Sequence, residues 1–217
     1  MKLRYQLLLF LGVILASCGK SSVQPQAQIS IKGVVINGTE YPTDTIGTQV
    51  WIAINYAGPG GYHLVYPNYS YDGYFYTQSQ ANALTLPAGW RVPSIADFNK
   101  MLSNFAGPAD IDAYGDYYIQ NPVMLIGTKH WDDDNGNVQH QGTNTSGFNI
   151  VQTPYVIIQN GNPVGQDSQF SYFVTSNTVV TDGIVQYSFQ FDPDFEFIGL
   201  NNDPLTRAFN LRLVKDL

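Results

Sequence analysis

The sequence predicts an α+β fold on the strength of three observations. Two segments in its first half place apolar residues at helical spacing, whereas the second half carries runs rich in β-branched and aromatic side chains. Its 15 tyrosines and 12 phenylalanines, with few lysines, glutamates or alanines, favour strands over helices. Helices early and strands late are segregated rather than alternating, which is the α+β pattern and argues for mostly antiparallel pairing.

Before that domain comes an export signal, predicted over 1–17. Lys2 and Arg4 are a positive n-region, and Leu7 to Ala16 is an apolar stretch of h-region length. It is shorter than the roughly 20 residues a bilayer-spanning helix needs. Leu15-Ala16-Ser17-Cys18 ends it with a branched apolar residue, two small residues and a cysteine, and so resembles the lipobox of bacterial lipoproteins. The small residues admit the backbone to a peptidase cleft, and the Cys18 thiol is where the lipid is attached. Cys18 is the only cysteine, and an exported lone thiol is a liability unless it has such a use. Several acyl chains on one residue anchor stably where one does not. Gly19 stands where an inner-membrane retention signal would have aspartate, so the outer membrane is expected, facing either the periplasm or the cell surface. From Cys18 to Gln28 the chain has little to bury and reads as a flexible tether.

The domain is predicted over 29–217. Ile29 to Ile36 alternates as a strand, Asn37-Gly38 is a hairpin turn, and a short return follows around Tyr41. Gln49 to Asn55 is a second, more buried strand, ended by Gly58-Pro59-Gly60-Gly61. Asn68 to Tyr71, Asp72-Gly73 and Tyr74 to Tyr76 can form an aromatic hairpin. Exposed, such tyrosines would stack on sugars; buried, they are core rings, and the second reading is the more economical. Thr77 to Leu84 reads as a short helix. A better one starts at Ser94, whose hydroxyl can cap it, with Asp97 placed to complement the dipole. Ile95, Phe98, Met101, Leu102 and Phe105 share one face, and Gly107-Pro108 ends the run. Strands are expected over Phe148 to Ile158, Phe170 to Thr175, Gly183 to Phe191 and Ala208 to Val214.

Charge excludes one class of partner. The whole chain has a formal charge of −7, and removing Lys2 and Arg4 from its ten basic residues leaves eight against 17 acidic ones, a formal −9. Such a surface repels polyanions, so nucleic acid is not an expected partner.

Candidate chemistry is sparse. Asp132, Asp133, Asp134 and Asn135 gather hard oxygen ligands beside Gly136 and form a candidate calcium loop, although the spacing is not that of an EF-hand and a solvated turn has the same composition. Trp131 next to it, with Tyr69 and Tyr71, are the candidate ligand-binding rings. His130 and His140 flank the loop and His63 lies far off, which makes no zinc set. No nucleophile elbow, phosphate loop or dinucleotide fingerprint occurs. Asp192, Asp194 and Glu196 are close enough in sequence to suggest paired carboxylates, without any mark of activity. No catalytic residue is assigned. Trp90 and Arg91, types common in binding sites, are expected to be structural, with Trp90 a core ring and Pro93 setting the entry to the Ser94 helix.

Several segments together resemble the Fibrobacter succinogenes major paralogous domain. They are Ile46 to Ala53, Gly73 to Tyr76, Pro87-Ala88-Gly89-Trp90-Arg91-Val92-Pro93-Ser94 with Asp97-Phe98, His130-Trp131, Thr143 to Phe148, Tyr172 to Ser176 and Leu211 to Asp216. They follow the family's order over nearly all of 40–216. The resemblance implies a variant of the C-type-lectin-like fold, with the chain ends closed together and two helices before a long-loop region. It also implies a cell-surface or secreted protein of the Bacteroidota and Fibrobacteres type. Family members often pair a cysteine before the Pro-x-Gly-Trp segment with one near the C-terminus; here Leu86 and Leu213 stand there, and the two leucines are expected to meet in the core.

The expectation for function is a lipid-anchored envelope protein presenting a lectin-like binding or adhesion domain, non-enzymatic, with a glycan or surface protein as ligand. A structural subunit of a surface fibre or outer-membrane complex is the alternative, and a polysaccharide-acting enzyme the least favoured.

Overall fold

The computed structural model describes residues 33–64, 73–105, 117–118, 122–128, 130–132, 138–153, 155–165, 170–180, 184–192 and 197–217. Cys18, Tyr69, Tyr71, Asp133, Asp134, Asn135, Asp194 and Glu196 lie outside them, as do residues 29–32 and Gly107-Pro108. The architecture is α+β: mostly antiparallel strands with two short helices.

The chain opens with the hairpin β1 (Val34–Ile36) and β2 (Thr39–Tyr41). Asn37 and Gly38 join them with φ of 50° and 82°, the positive values that a type I′ turn requires of both central residues. A second hairpin, β3 (Thr43–Ile46) and β4 (Gln49–Ile52), follows at once, and every residue of β4 is buried. The last strand, β15 (Val214–Asp216), adds to the other side of β4, so the C-terminal strand joins the second hairpin of the described domain in one three-stranded sheet.

Both helices pack on the strand Ser171–Val180 of a larger sheet, and the second also reaches the small one through Asp97 to Gln49 and Phe98 to Trp51. The first, α1 (Gln78–Asn82), is capped by Thr77, whose side chain accepts from the Gln80 amide while Gln80 returns a bond to the Thr77 amide. In α2 (Ile95–Leu102), Ser94 and Asp97 do the same. Asp97 is therefore more than the dipole complement the sequence suggests: it closes a capping box. Phe98, Met101 and Leu102 are buried on one face of α2, with Phe105 packed beside them.

The larger sheet runs β10-β9-β14-β11-β12-β13-β6, with β5 (Phe75–Tyr76) also pairing β14. Its members are β6 (Tyr117–Tyr118), β9 (Val156–Gln159), β10 (Asn162–Gly165), β11 (Ser171–Val180), β12 (Ile184–Asp192), β13 (Phe197–Pro204) and β14 (Arg207–Asn210). All neighbours are antiparallel except β11 and β14, which meet in parallel through Phe173 and Asn210. A separate hairpin joins β7 (His130–Asp132) to β8 (Val138–Gln141).

Two expectations need correction. The run from Phe148 to Ile158 is a strand only from Val156, because Phe148 and Ile150 are instead core residues of an irregular segment held through bonds from Gly127 to Ile150 and from Ile150 to Leu125. Ala208 to Val214 is not one strand: the chain leaves the large sheet after Asn210 and enters the small one at Val214. The other arm of the expected aromatic hairpin, Asn68 to Tyr71, lies outside the described residues; in the arm that is described, Phe75 bridges Tyr62 and pairs with Asn210 of β14.

The aromatic residues fill the core. Trp51 packs on Phe98 and Phe148, each at a centroid distance of 5.3 Å, and Phe173 continues the stack. On the other side of the small sheet, Tyr41, Tyr56 and Tyr76 form a buried column with centroid spacings of 5.3 and 5.6 Å. Their hydroxyls are not orphaned. Asn37 Nδ2 donates to the Tyr56 hydroxyl at 2.9 Å, the Ala57 amide donates to Tyr41, and Tyr76 donates to the Gly58 carbonyl at 2.6 Å. Burial pushes all three phenols above their ordinary pKa. Gly58 and Gly61 cross the tips of this column because a β-carbon there would run into the Tyr56 hydroxyl and the Tyr76 ring.

Leu213 is fully buried in the cluster around that column, and Leu86 packs against the same cluster from its rim. Leu213→Ala should therefore cost about 2–5 kcal/mol in denaturant unfolding, and Leu86→Ala less than half as much. Equal losses would mean that Leu86 is as central as Leu213.

Candidate functional site

A concavity with binding-type side chains lies where α1, the Leu84 to Val92 loop and β11 converge. It encloses about 450 Å³ and is lined by Ala81, Asn82, Leu84, Leu86, Trp90, Arg91, Val92 and Ser176. That volume falls within the roughly 300–1,000 Å³ of small-molecule sites. A smaller cleft of about 390 Å³ shares Leu84 and runs toward Asn37, Pro59 and Gly60.

Trp90 is aimed by a tight turn. Its amide donates to the Pro87 carbonyl at 3.0 Å, and Gly89 between them has φ 82°. Positive φ at the third position is what a type II turn requires and what glycine allows. Contrary to expectation, Trp90 is not a sealed core ring. It is half-buried, with one side against the Leu213 cluster and the other facing the cleft. An indole held this way is amphipathic, apolar in body and open at one edge.

Arg91 forms the polar wall, and its charge is already balanced. Its Nε donates to Asp97 Oδ2 at 3.1 Å, and its terminal nitrogen reaches both Asp97 Oδ1 and Asp216 Oδ2, the latter at 2.9 Å. Lys100 completes the set by donating to Asp216 Oδ1 at 2.9 Å. Two cations and two carboxylates thus form an electroneutral patch. Asp97 is almost wholly buried and accepts further bonds from Gln49 Nε2 at 3.0 Å and from the Ser94 amide and hydroxyl at 2.9 Å each. Burial alone would raise its pKa, but the bonds from Arg91 and Ser94 outweigh that and hold it below the ordinary carboxylate range.

Ser176, which lines the cleft together with Asn82 and Arg91, sits in a bulge. The register of β11 against β12 shifts between Val174 and Thr178. The residues between reach outward: the Ser176 amide donates to the Pro93 carbonyl at 2.9 Å, the Asn177 Oδ1 accepts from the Ile95 amide at 2.8 Å, and Gln78 Nε2 donates to the Thr175 carbonyl at 2.9 Å and to that of Asn177. One bulge fixes both helices and one wall of the cleft.

The residues singled out from the sequence are not brought together here. Trp131 and Asp132 lie on β7, where Trp131 pairs with His140 and His130 with Gln141. The rest of the candidate calcium set, and Tyr69 and Tyr71, lie outside the described residues. Among the described residues, no three of His, Cys, Asp and Glu are placed to hold a metal ion. Asp192 ends β12, with its two sequence neighbours outside the described residues. His63 is exposed and packs on Tyr74 at 5.1 Å. Sequence reasoning passed over Leu84, Asn82 and Ser176 as site residues. Only the proline and glycine before Trp90 signalled that its ring is held by a turn.

Because the depressed pKa of Asp97 belongs to the folded state, its contribution to stability is full above the unfolded aspartate value of about 3.9 and is lost as pH falls through the folded value. Asp97→Asn should cost about 2–3 kcal/mol at neutral pH. It should also flatten the stability profile in the acid range, as read from denaturant midpoints between pH 3 and 7.

Compared with known protein families, with curated proteins and with solved structures, the chain shows no match.

Proposed function

We propose that this chain is a lipid-anchored envelope protein that presents a lectin-like domain for binding or adhesion, without catalysis, to a glycan or a surface protein. The observation that carries the reading is Leu15-Ala16-Ser17-Cys18 at the end of a charged and apolar leader, ahead of a short tether. A domain held at a membrane by its N-terminus acts on what comes within reach of its tether. The resemblance to the Fibrobacter succinogenes major paralogous domain supports a lectin-like arrangement, with β15 pairing β4 and both helices preceding β6 to β14.

Binding is favoured over chemistry because the charged groups at the cleft are engaged with one another. Arg91, Asp97, Asp216 and Lys100 form a closed set, and a carboxylate held ionised by an arginine is a poor proton donor. Binding is also favoured over assembly by strand addition. At the β10 edge, Pro163 stands opposite Ile158, whose amide bonds to Thr206 on the far side, so this pair is not hydrogen-bonded across the hairpin. The outward position on β10 is therefore one where proline offers no N–H to an incoming strand. At the β3 edge, Asp44 Oδ1 accepts from the Thr45 amide at 2.8 Å. These two edges, the β10 side of the large sheet and the β3 side of the small one, are blunted in the manner of chains that avoid edge pairing.

Expressed in a bacterium with the lipoprotein pathway, the wild-type chain should incorporate an alkyne fatty acid and fractionate with outer membranes. Cys18→Ala should take up no label and leave the membrane fraction. Labelling of the alanine variant, or a soluble wild-type protein, would remove the basis of the reading. A glycan and matrix-protein binding screen that is negative with and without calcium would remove its second half.

A further inference from the structure

We infer that the cleft around Trp90 is a subsite for one ring of an uncharged sugar, with Trp90 as the stacking platform and Asn82, Ser176 and Arg91 supplying hydrogen bonds to its hydroxyls. The inference rests on the binding reading above and gives it a place and a ligand class.

Four features support it. First, the lining is amphipathic: the apolar Ala81, Leu84, Leu86, Val92 and the Trp90 ring share the cleft with Asn82, Ser176 and Arg91. A pyranose has the same division, with a face of C–H groups and a rim of hydroxyls, whereas a purely apolar ligand would strand the polar wall without partners. Second, the indole is pre-set. The Pro87 to Trp90 turn, closed by a 3.0 Å bond, and its packing on the Leu213 cluster fix the ring before any ligand arrives, so little ordering entropy is lost on binding.

Third, the charge of the site selects against acidic sugars. Arg91 already faces Asp97 and Asp216, and Lys100 is bonded to Asp216, so these four groups balance one another, with the Lys215 stem running beside Gly89 as a further cation near the turn. A carboxylate or sulfate brought beside the four would compete with Asp216 for Arg91 and meet a chain of net charge −7. Neutral hydroxyls, by contrast, can accept from guanidinium hydrogens without displacing either carboxylate. Fourth, a peptide lying extended in the cleft would need a free sheet edge to satisfy its backbone. The β11 segment at the cleft is a bulge whose groups are spent on Pro93, Ile95 and Gln78.

The test is titration of the full-length protein, purified with its anchor in detergent, with neutral oligosaccharides of glucose, mannose, xylose and N-acetylglucosamine, and with oligogalacturonate as the acidic counterpart. Binding is followed by calorimetry. At least one neutral series should bind the wild type, and oligogalacturonate should bind no better than detergent alone. Trp90→Ala should weaken that binding at least about tenfold, while Trp90→Phe, which keeps a ring in the turn, should stay within about threefold. Unfolding midpoints of both variants establish that they are folded. If Trp90→Ala destabilises the domain, Asn82→Ala and Ser176→Ala carry the same test through groups at the polar wall, each expected to weaken binding by about threefold or more. Unchanged affinity in all three alanine variants overturns the subsite. If Trp131→Ala then abolishes binding, the cleft is wrong and the binding module stands, with its site at the β7–β8 hairpin. Preference for oligogalacturonate overturns the ligand class. Binding of a matrix protein and no sugar overturns the proposal while leaving the module; binding of neither removes both.

Discussion

The buried carboxylate of Asp97 is the interaction on which the rest of the structure depends. It accepts from Gln49 on β4, from Ser94 at the start of α2 and from Arg91 on the loop between the helices. Arg91 in turn bridges the C-terminal strand through two backbone bonds with Val214, at 2.9 and 3.1 Å, and through Asp216. One carboxylate thus joins the first buried strand, the main helix and the last strand. A charge taken this far out of water is tolerable only because it is multiply bonded, and the same requirement fixes where its partners stand.

A second buried charge does similar work deeper in the core. Arg212, with no exposed surface, donates to Asn55 Oδ1, to the Ile52 carbonyl and to the Asn149 carbonyl, and lies over the rings of Phe148 and Phe173 at 5.2 and 5.7 Å. It occupies the stretch where the chain passes from the large sheet to the small one. Backbone carbonyls that would otherwise need a ladder partner receive the guanidinium instead. Together, Asp97 and Arg212 show a domain without cysteines in its described part using hydrogen-bonded charges, as well as the Leu213 cluster, to hold its C-terminus in place.

What could be read from the sequence follows from how local each signal is. The Asn37-Gly38 turn, the Thr77 and Ser94 helices and the buried strand at Gln49 rest on neighbours a few residues apart, and each is present where expected. The same Asn-Gly signal recurs at Asn160 and Gly161, joining β9 to β10, and was legible but passed over. The bulge at Thr175 to Asn177 was not legible, because its cause is remote: its groups turn aside to serve Pro93, Ile95 and Gln78, at least 80 residues away in the chain. The cleft was missed for the same reason. Its walls come from α1, the Trp90 turn and that bulge, and Trp90 and Leu86 read as core residues until the fold leaves one side of each uncovered.

The clamp at Asp97 is tested most directly by native-state amide hydrogen exchange in Asp97→Asn, with Lys100→Ala as a surface control. If the carboxylate couples the three elements, protection of the Arg91 and Val214 amides should fall together by about tenfold or more relative to the amides of the β11–β12 pair. The control should leave that ratio unchanged. Protection at Arg91 and Val214 that falls no further than in β11 and β12 would show the C-terminal strand to be held independently of Asp97, and would contradict the account.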